Sequence, residues 1–383
     1  MAERTAHKKF KFVSDFQQSE KGSDGEGSKA EEVSPDGSGL HQIARINLSK
    51  QVIKKDGKDV EVWKEEMGEK GGMLASMDNL SQEGECWVQV GGKVEGSAFV
   101  SDDAVVQNGG VVQDSARVCG KAVVRDGATV KGSAYVYGEA SIGKGASVSG
   151  TAKVGGSVSG DGASVADSAC IYPGGKVESK GAVSGNAKIF GVVASGKVSG
   201  NAVVYGEVRG GNAMPEVKDS AVICEGATVK AGEVSGSAII VSGSIGASGS
   251  PSTIQDWAVI KSGTVLKSTI SGGAKVNTSD KVDQCKISDA AQLKSGAQNT
   301  TLSGACEASG GAVSQSTLDG AARVLGGASQ STIGENATTM NTASKATISG
   351  NALMAVGVNN KSFGGNAVYV GATQKAGSDN KIY

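Results

Sequence analysis

Proline is nearly missing from this sequence: there are four in 383 residues, beside 59 glycines. Aromatic residues make up only 4%. So little ring volume excludes a core built on large aromatic side chains. Abundant glycine with scarce proline instead suits a repeat fold that turns a tight corner in every repeat. Only two histidines occur, His7 and His41, and none lies between Val88 and Tyr383. No run of 18 apolar residues exists, which excludes a membrane-spanning helix. The net charge is −1, and no block of like charges runs through the repeats. A long basic surface for nucleic acid or an anionic membrane is thereby excluded, so neither is expected as a partner. The six cysteines, at 86, 119, 170, 224, 285 and 306, show no C-x-x-C spacing. That excludes a zinc ribbon and a dense disulfide framework. Reduced thiols are expected, in a protein that is cytoplasmic as synthesised; the opening MAERTAHKKFKF has no apolar core of a secretory signal.

What is present is a beat of six. Residues 119–154 read CGKAVV RDGATV KGSAYV YGEASI GKGASV SGTAKV. From Val88 to Val154 every sixth residue is Val or Ile, and from Val88 to Val148 the position four after each is Ala or Gly. Two after the aliphatic, Asp102, Asn108, Asp114 and Asp126 alternate with glycines such as Gly96, Gly120, Gly132 and Gly138. These types tolerate a left-handed backbone at a turn. A period of two marks a half-buried strand and 3.6 a helix. A period of six predicts one flat side of a triangular, single-stranded parallel β-helix: an all-β, left-handed hexapeptide-repeat solenoid. Three sides make an 18-residue coil, bonded to the next at about 4.8 Å. One coil cannot bury its inner face alone, so stability comes from stacking.

The organisation follows. Residues 1–18 hold a short strand, KKFKFV. Residues 19–39 are charged and Gly/Ser-rich and read as a flexible loop. Residues 40–87 form an N-terminal cap, in which LHQIARINL can pair with KKFKFV. Residues 88–253 are the regular β-helix, with loops expected near 155–161, 191–196, 207–216 and 242–253, where the beat is broken. Residues 254–383 continue it with shorter coils of about 15; Leu318, Ile333, Ile348 and Phe363 are in phase.

Two groups of side chains invite a role. An uncapped solenoid exposes its core and a strand edge, so Trp87 and Leu80 are expected to plug the N-terminal end. In addition, the residues following the aliphatic on one side of the triangle include Tyr137, Tyr172, Phe190 and Tyr205. Stacked rings there stabilise adjacent coils by ~0.2–1 kcal/mol per pair. The same column is also a candidate surface stripe for a protein or glycan partner. Cys86, Cys285 and Cys306 fall at small inward positions and read as core fillers. Asp161, Asp167, Glu207 and Glu216 read as scattered solvated acids.

The block GGMLASMDNLSQEGECWVQV (71–90), leading directly into the repeats, carries a resemblance. It is similar to left-handed β-helix proteins of enteric bacteria and their phages, many of which bear acyltransferase labels. Gly71, Gly72, Asn79, Leu80, Ser81, Cys86, Trp87 and Val88 match that pattern, and Met73 stands where it has Trp. The resemblance implies the fold. It also raises acetyl-CoA-dependent acyl transfer by a trimer, with loops 191–196 or 207–216 completing a cleft. Related enzymes use a histidine base, suited by its pKa, and the helix here has none. The first expectation is therefore a non-catalytic structural or binding rod, phage- or prophage-derived and virion-associated. Acyl transfer is the alternative, and a secreted effector or adhesin-like protein is a third reading. No catalytic residue, metal ligand or cofactor is assigned, and monomer and trimer both stay open.

Overall fold

The computed structural model describes residues 9–15, 39–55 and 58–293, and beyond these only short strand segments as far as Lys375. Of the expected loop 19–39, only Gly39 is among the described residues; Cys306 is not. The chain divides into two compact units, Met1–Lys180 and Gly181–Tyr383. Each is a parallel β-solenoid.

The first unit opens with three antiparallel strands: β1 (Phe10–Phe12), β2 (His41–Lys55) and β3 (Lys58–Leu74). Phe10 lies opposite Arg45 and Phe12 opposite Ile43, so the FKF of KKFKFV does pair within LHQIARINL, while Val13 already lies outside the strand. The β2–β3 hairpin, by contrast, goes beyond the sequence reading. It pairs from His41↔Leu74 out to Lys55↔Lys58, with register shifts between Gln42 and Ala44 and between Ala44 and Ile46. Its signal is in the sequence: Asp56-Gly57 between alternating aliphatics is a strong two-residue hairpin signature. The last residues of β3 turn into the first coil, with Leu74 parallel to Val94.

From Val88 to Val154 the aliphatic at every sixth position is fully buried, and the Ala or Gly four residues after each as far as Val148 is buried as well. Val106, Val124 and Ile142 pair directly, eighteen residues apart. The corners are left-handed where expected: φ is +57° at Asp102, +62° at Asp114 and +55° at Asp126. Asp is suited there for a second reason. Asp102 and Asp114 each accept a hydrogen bond from the glycine N–H one coil on, Gly120 and Gly132, at 2.9 Å.

The expected loop at 155–161 is corrected. Ser157–Ser159 is a strand, and Val158 is buried opposite Ile142. The corner from Val154 to Val158 simply takes fewer residues. A Cβ on Gly156 would fall 2.2 Å from the Gly175 carbonyl oxygen, so only glycine fits a corner that tight.

The second unit uses the same device twice. Val193 and Val208 are buried four residues after Ile189 and Val204. After a bend at Gly191, residues 192–196 are thus strand (Val192–Val198) rather than loop, and the first part of 207–216 is strand as well, Glu207–Arg209. In 242–253, Ile245 is buried at the end of Ile239–Ile245 and the chain re-enters at Ser252–Ile254. Further on, Leu318↔Ile333, Ile333↔Ile348 and Ile348↔Phe363 pair in coils of fifteen, as their phase predicts.

Candidate functional site

In the first unit the ring residues sit on one outward side, but not as a simple stack. The coil position after Tyr137 is Gly155, and the phenol ring lies over it: a Cβ on Gly155 would be 2.7 Å from Tyr137 Cζ. Tyr137 stacks instead on Tyr135 of its own strand, centroids 5.5 Å apart and planes within 17°. Burial, with Cys170 and Tyr172 facing it, raises the Tyr137 phenol pKa. The Tyr135 hydroxyl lies 3.1 Å from the Cys119 thiol, and that hydrogen bond is the main cause of its raised pKa. Next to Tyr137, the tight corner opens a groove of about 480 Å³ over glycine backbone, with Glu139 and Lys176 at its walls.

In the second unit Phe190 and Tyr205 do stack coil on coil, centroids 4.7 Å apart and planes within 11°. Their separation matches the inter-coil spacing, so the stack runs along the solenoid and turns ring edges outward. These two belong to a larger surface that the sequence reading missed. Inward Ile189, Val204, Ile223, Ile240, Ile260 and Val276 follow one another coil by coil. On the flank preceding them stand Val203, Val222, Ile239 and Val259. On the flank following them stand Phe190, Tyr205, Cys224 and Val241. Tyr205, Ile239 and Val241 are 47%, 37% and 42% exposed, and Trp257, two residues before Val259, is 73% exposed.

The signal is there to be found. A surface strand normally alternates apolar-in with polar-out, and V-V-Y (203–205), V-I-C (222–224) and I-I-V (239–241) do not. Another side of the same unit shows the ordinary pattern. Val198, Val217 and Val234 are flanked by Lys197/Ser199, Glu216/Lys218 and Glu233/Ser235, and Lys218 pairs with Glu233 at 3.0 Å. Two sides under one composition therefore differ in a way packing does not require. Exposed apolar patches are a common feature of the surfaces through which proteins meet partners.

No protein-family model and no curated protein matches this sequence.

Elsewhere the chemistry is sparse. Among the described residues no three His, Cys, Asp or Glu side chains converge to hold a metal ion. Asp161 and Asp167 are exposed, and Glu207 reaches Arg209 at 3.4 Å. No disulfide joins the five described cysteines. Cys86 and Cys285 are buried, as inward positions require. Burial pushes the Cys86 thiol pKa up, against the pull of nearby Lys9. Iodoacetamide at pH 8 should consequently modify Cys119, Cys170 and Cys224 well before Cys86 and Cys285, read by peptide mass spectrometry.

At the N-terminal end Trp87 is 3% exposed and Leu80 is 2% exposed. Phe10 meets the Trp87 ring edge-on at 6.3 Å, and the Arg45 guanidinium lies 4.7 Å above it. Gly71 lets β3 pass close: a Cβ there would be 2.6 Å from Val88 O and 2.7 Å from Trp87 Cζ2. Asn79 ties the turn after β3 to the first coil, donating to Gly96 O and Ala98 O at 2.9 and 2.7 Å. The 71–90 block is thus the junction between cap and coil. Trp87 Nε1 is buried without a hydrogen-bond partner. Trp87→Phe removes that unsatisfied donor while keeping a ring under Arg45, so stability should change by less than about 1 kcal/mol, whereas Trp87→Ala should cost ~3–5 kcal/mol. Urea denaturation of the two variants checks this.

Proposed function

We propose that this chain is a non-catalytic β-helix that binds another macromolecule through the apolar side of its second unit. The observation that carries the reading is the pair of apolar columns, Val203, Val222, Ile239 and Val259 on one flank and Phe190, Tyr205, Cys224 and Val241 on the other, set against the Lys/Glu/Ser-flanked side of the same unit. A protein partner is favoured over a glycan. Sugar rings stack on open aromatic faces, and the Phe190–Tyr205 stack covers its own inner faces. The absence of histidine from Val88 onward supports binding over acetyl transfer. On this reading, acetyl-CoA titrated into the protein gives no binding heat. Origin among enteric bacteria or their phages rests on the 71–90 resemblance.

The test is site-specific photo-crosslinking. A benzophenone side chain replaces Ile239 or, as a control, Lys197 on the polar side. In the cells that make the protein, the Ile239 probe should give one discrete adduct, reproduced from Val222, while the Lys197 probe gives none. No adduct at Ile239 and Val222, or the same adducts at Lys197, would remove the reading.

A further inference from the structure

Resting on that docking reading, we infer that the occupant of this side is an amphipathic α-helix with an apolar stripe and carboxylates toward both ends. Three features of the surface point to it.

The first is that the backbone here is already used. Val203 N donates to Ala221 O, Val222 N to Ala238 O and Ile239 N to Ala258 O, each at 2.9 Å. These bonds run from coil to coil, so this side offers no free edge for an added strand. An extended segment laid across it would press its own N–H and C=O groups against Val and Ile without partners, at the cost of desolvating them. A helix satisfies its backbone internally and can lie on a closed sheet face.

The second is dimension. Six coils, from Ile189 to Val276, make five steps of about 4.8 Å, or ~24 Å. A helix rising 1.5 Å per residue covers that length in about 16 residues. The two columns of side chains form parallel ridges with the backbone of the inward residues between them, so a row of apolar side chains can seat along the furrow.

The third is charge. Lys188 closes one end of the apolar stretch, and Lys261 with Lys275 closes the other; all three are exposed. None of the outward residues flanking these six inward positions is acidic. Glu225, the next residue past Cys224, is exposed at the margin. A ligand that is apolar in the middle and acidic at its ends complements this arrangement. A second copy of the same side does not. Packed antiparallel, it sets Lys188 against Lys261 and Lys275; packed parallel, it sets each lysine against itself. Like-charge juxtaposition of this sort suppresses a partner.

The probe is a labelled 18-residue synthetic helix with a Leu stripe and Glu at both ends, titrated into the full chain and followed by fluorescence anisotropy. Its twin carries Lys at both ends. The Glu-ended helix should bind more tightly than the Lys-ended one by roughly tenfold or more, and the difference should shrink as salt is raised. Ile239→Lys and, separately, Val241→Lys should abolish binding, while Lys197→Glu leaves it unchanged. Equal binding of the two peptides, or binding indifferent to Ile239→Lys, overturns the inference. If neither peptide binds but the Ile239 photo-adduct forms, the helix is wrong and the docking surface stands; if both fail, the docking surface falls too. A dimer seen by light scattering and dissolved by Ile239→Lys gives the side to a second copy and also overturns it.

Discussion

Ala128→Leu should unfold or severely strain the first unit. Ala128 is fully buried at the position four after Val124, where the chain turns its corner. Its carbonyl accepts from Val111 N at 2.9 Å, and the next residue, Thr129, donates to Ala146 O at 2.9 Å. Three added carbons therefore have coils above and below that are already joined at hydrogen-bond distance. Overpacking of a tight core costs ~1–3 kcal/mol and more when the backbone must move. For a unit of this size a cost of about 3 kcal/mol lowers Tm by roughly 6–12 °C. Thr129→Leu, one residue on and facing outward, is the matched control and should melt like the wild type. Circular dichroism melts of the two variants decide it: equal melting would mean that Ala128 is not an inward corner.

Gly191→Ala should be nearly as damaging to the second unit, although it adds a single carbon. The new Cβ would fall 2.1 Å from Gly206 O and 2.3 Å from Tyr205 O, both backbone atoms of the next coil. Neither can rotate away, so the coils must part, at a cost near or above the ~1–3 kcal/mol typical of overpacking. Gly211→Ala, in the same unit with open space around it, should leave the urea midpoint unchanged. A Gly191→Ala midpoint equal to wild type would contradict the tight corner.

Those corners also explain what the sequence conceals. The run from Val88 to Val154 is legible because one rule recurs in nearly every repeat: an aliphatic at i, a Gly, Asp or Asn at i+2 (Val90 and Lys144 are the exceptions), and up to Val148 a small residue at i+4. After Val154 the rule is shortened rather than interrupted. Val154-Gly155-Gly156-Ser157-Val158, Ile189-Phe190-Gly191-Val192-Val193 and Val204-Tyr205-Gly206-Glu207-Val208 share one local pattern, with glycine at i+2 and the next inward valine at i+4. Counting in sixes skips that valine and leaves an apparent loop. In the regular repeats glycine at i+2 serves as a turn former with free φ; in the shortened corners it is also the one residue that clears the neighbouring carbonyl.

The candidate site is half legible for a related reason. Tyr205 and Phe190 stand out as rings in a chain poor in rings. Val203, Val222, Ile239, Val241 and Val259 do not, because a valine beside an inward aliphatic is ordinary in any strand. Only the coil register places them on one side, and only comparison with Lys197, Glu216 and Glu233 on another side makes their apolarity informative.

Cys224 gives the most direct test of the docking surface without altering it. It is a native thiol, half-buried, in the column between Tyr205 and Val241. Its alkylation rate by N-ethylmaleimide is to be measured in the purified protein and in intact cells that make it at native levels, beside a Lys197→Cys reporter on the polar side. If the apolar side is occupied, Cys224 labels far more slowly in cells than when purified, while the reporter thiol labels alike in both. Equal labelling of Cys224 in the two settings, with the reporter unchanged, would mean that nothing covers this side and would contradict the account.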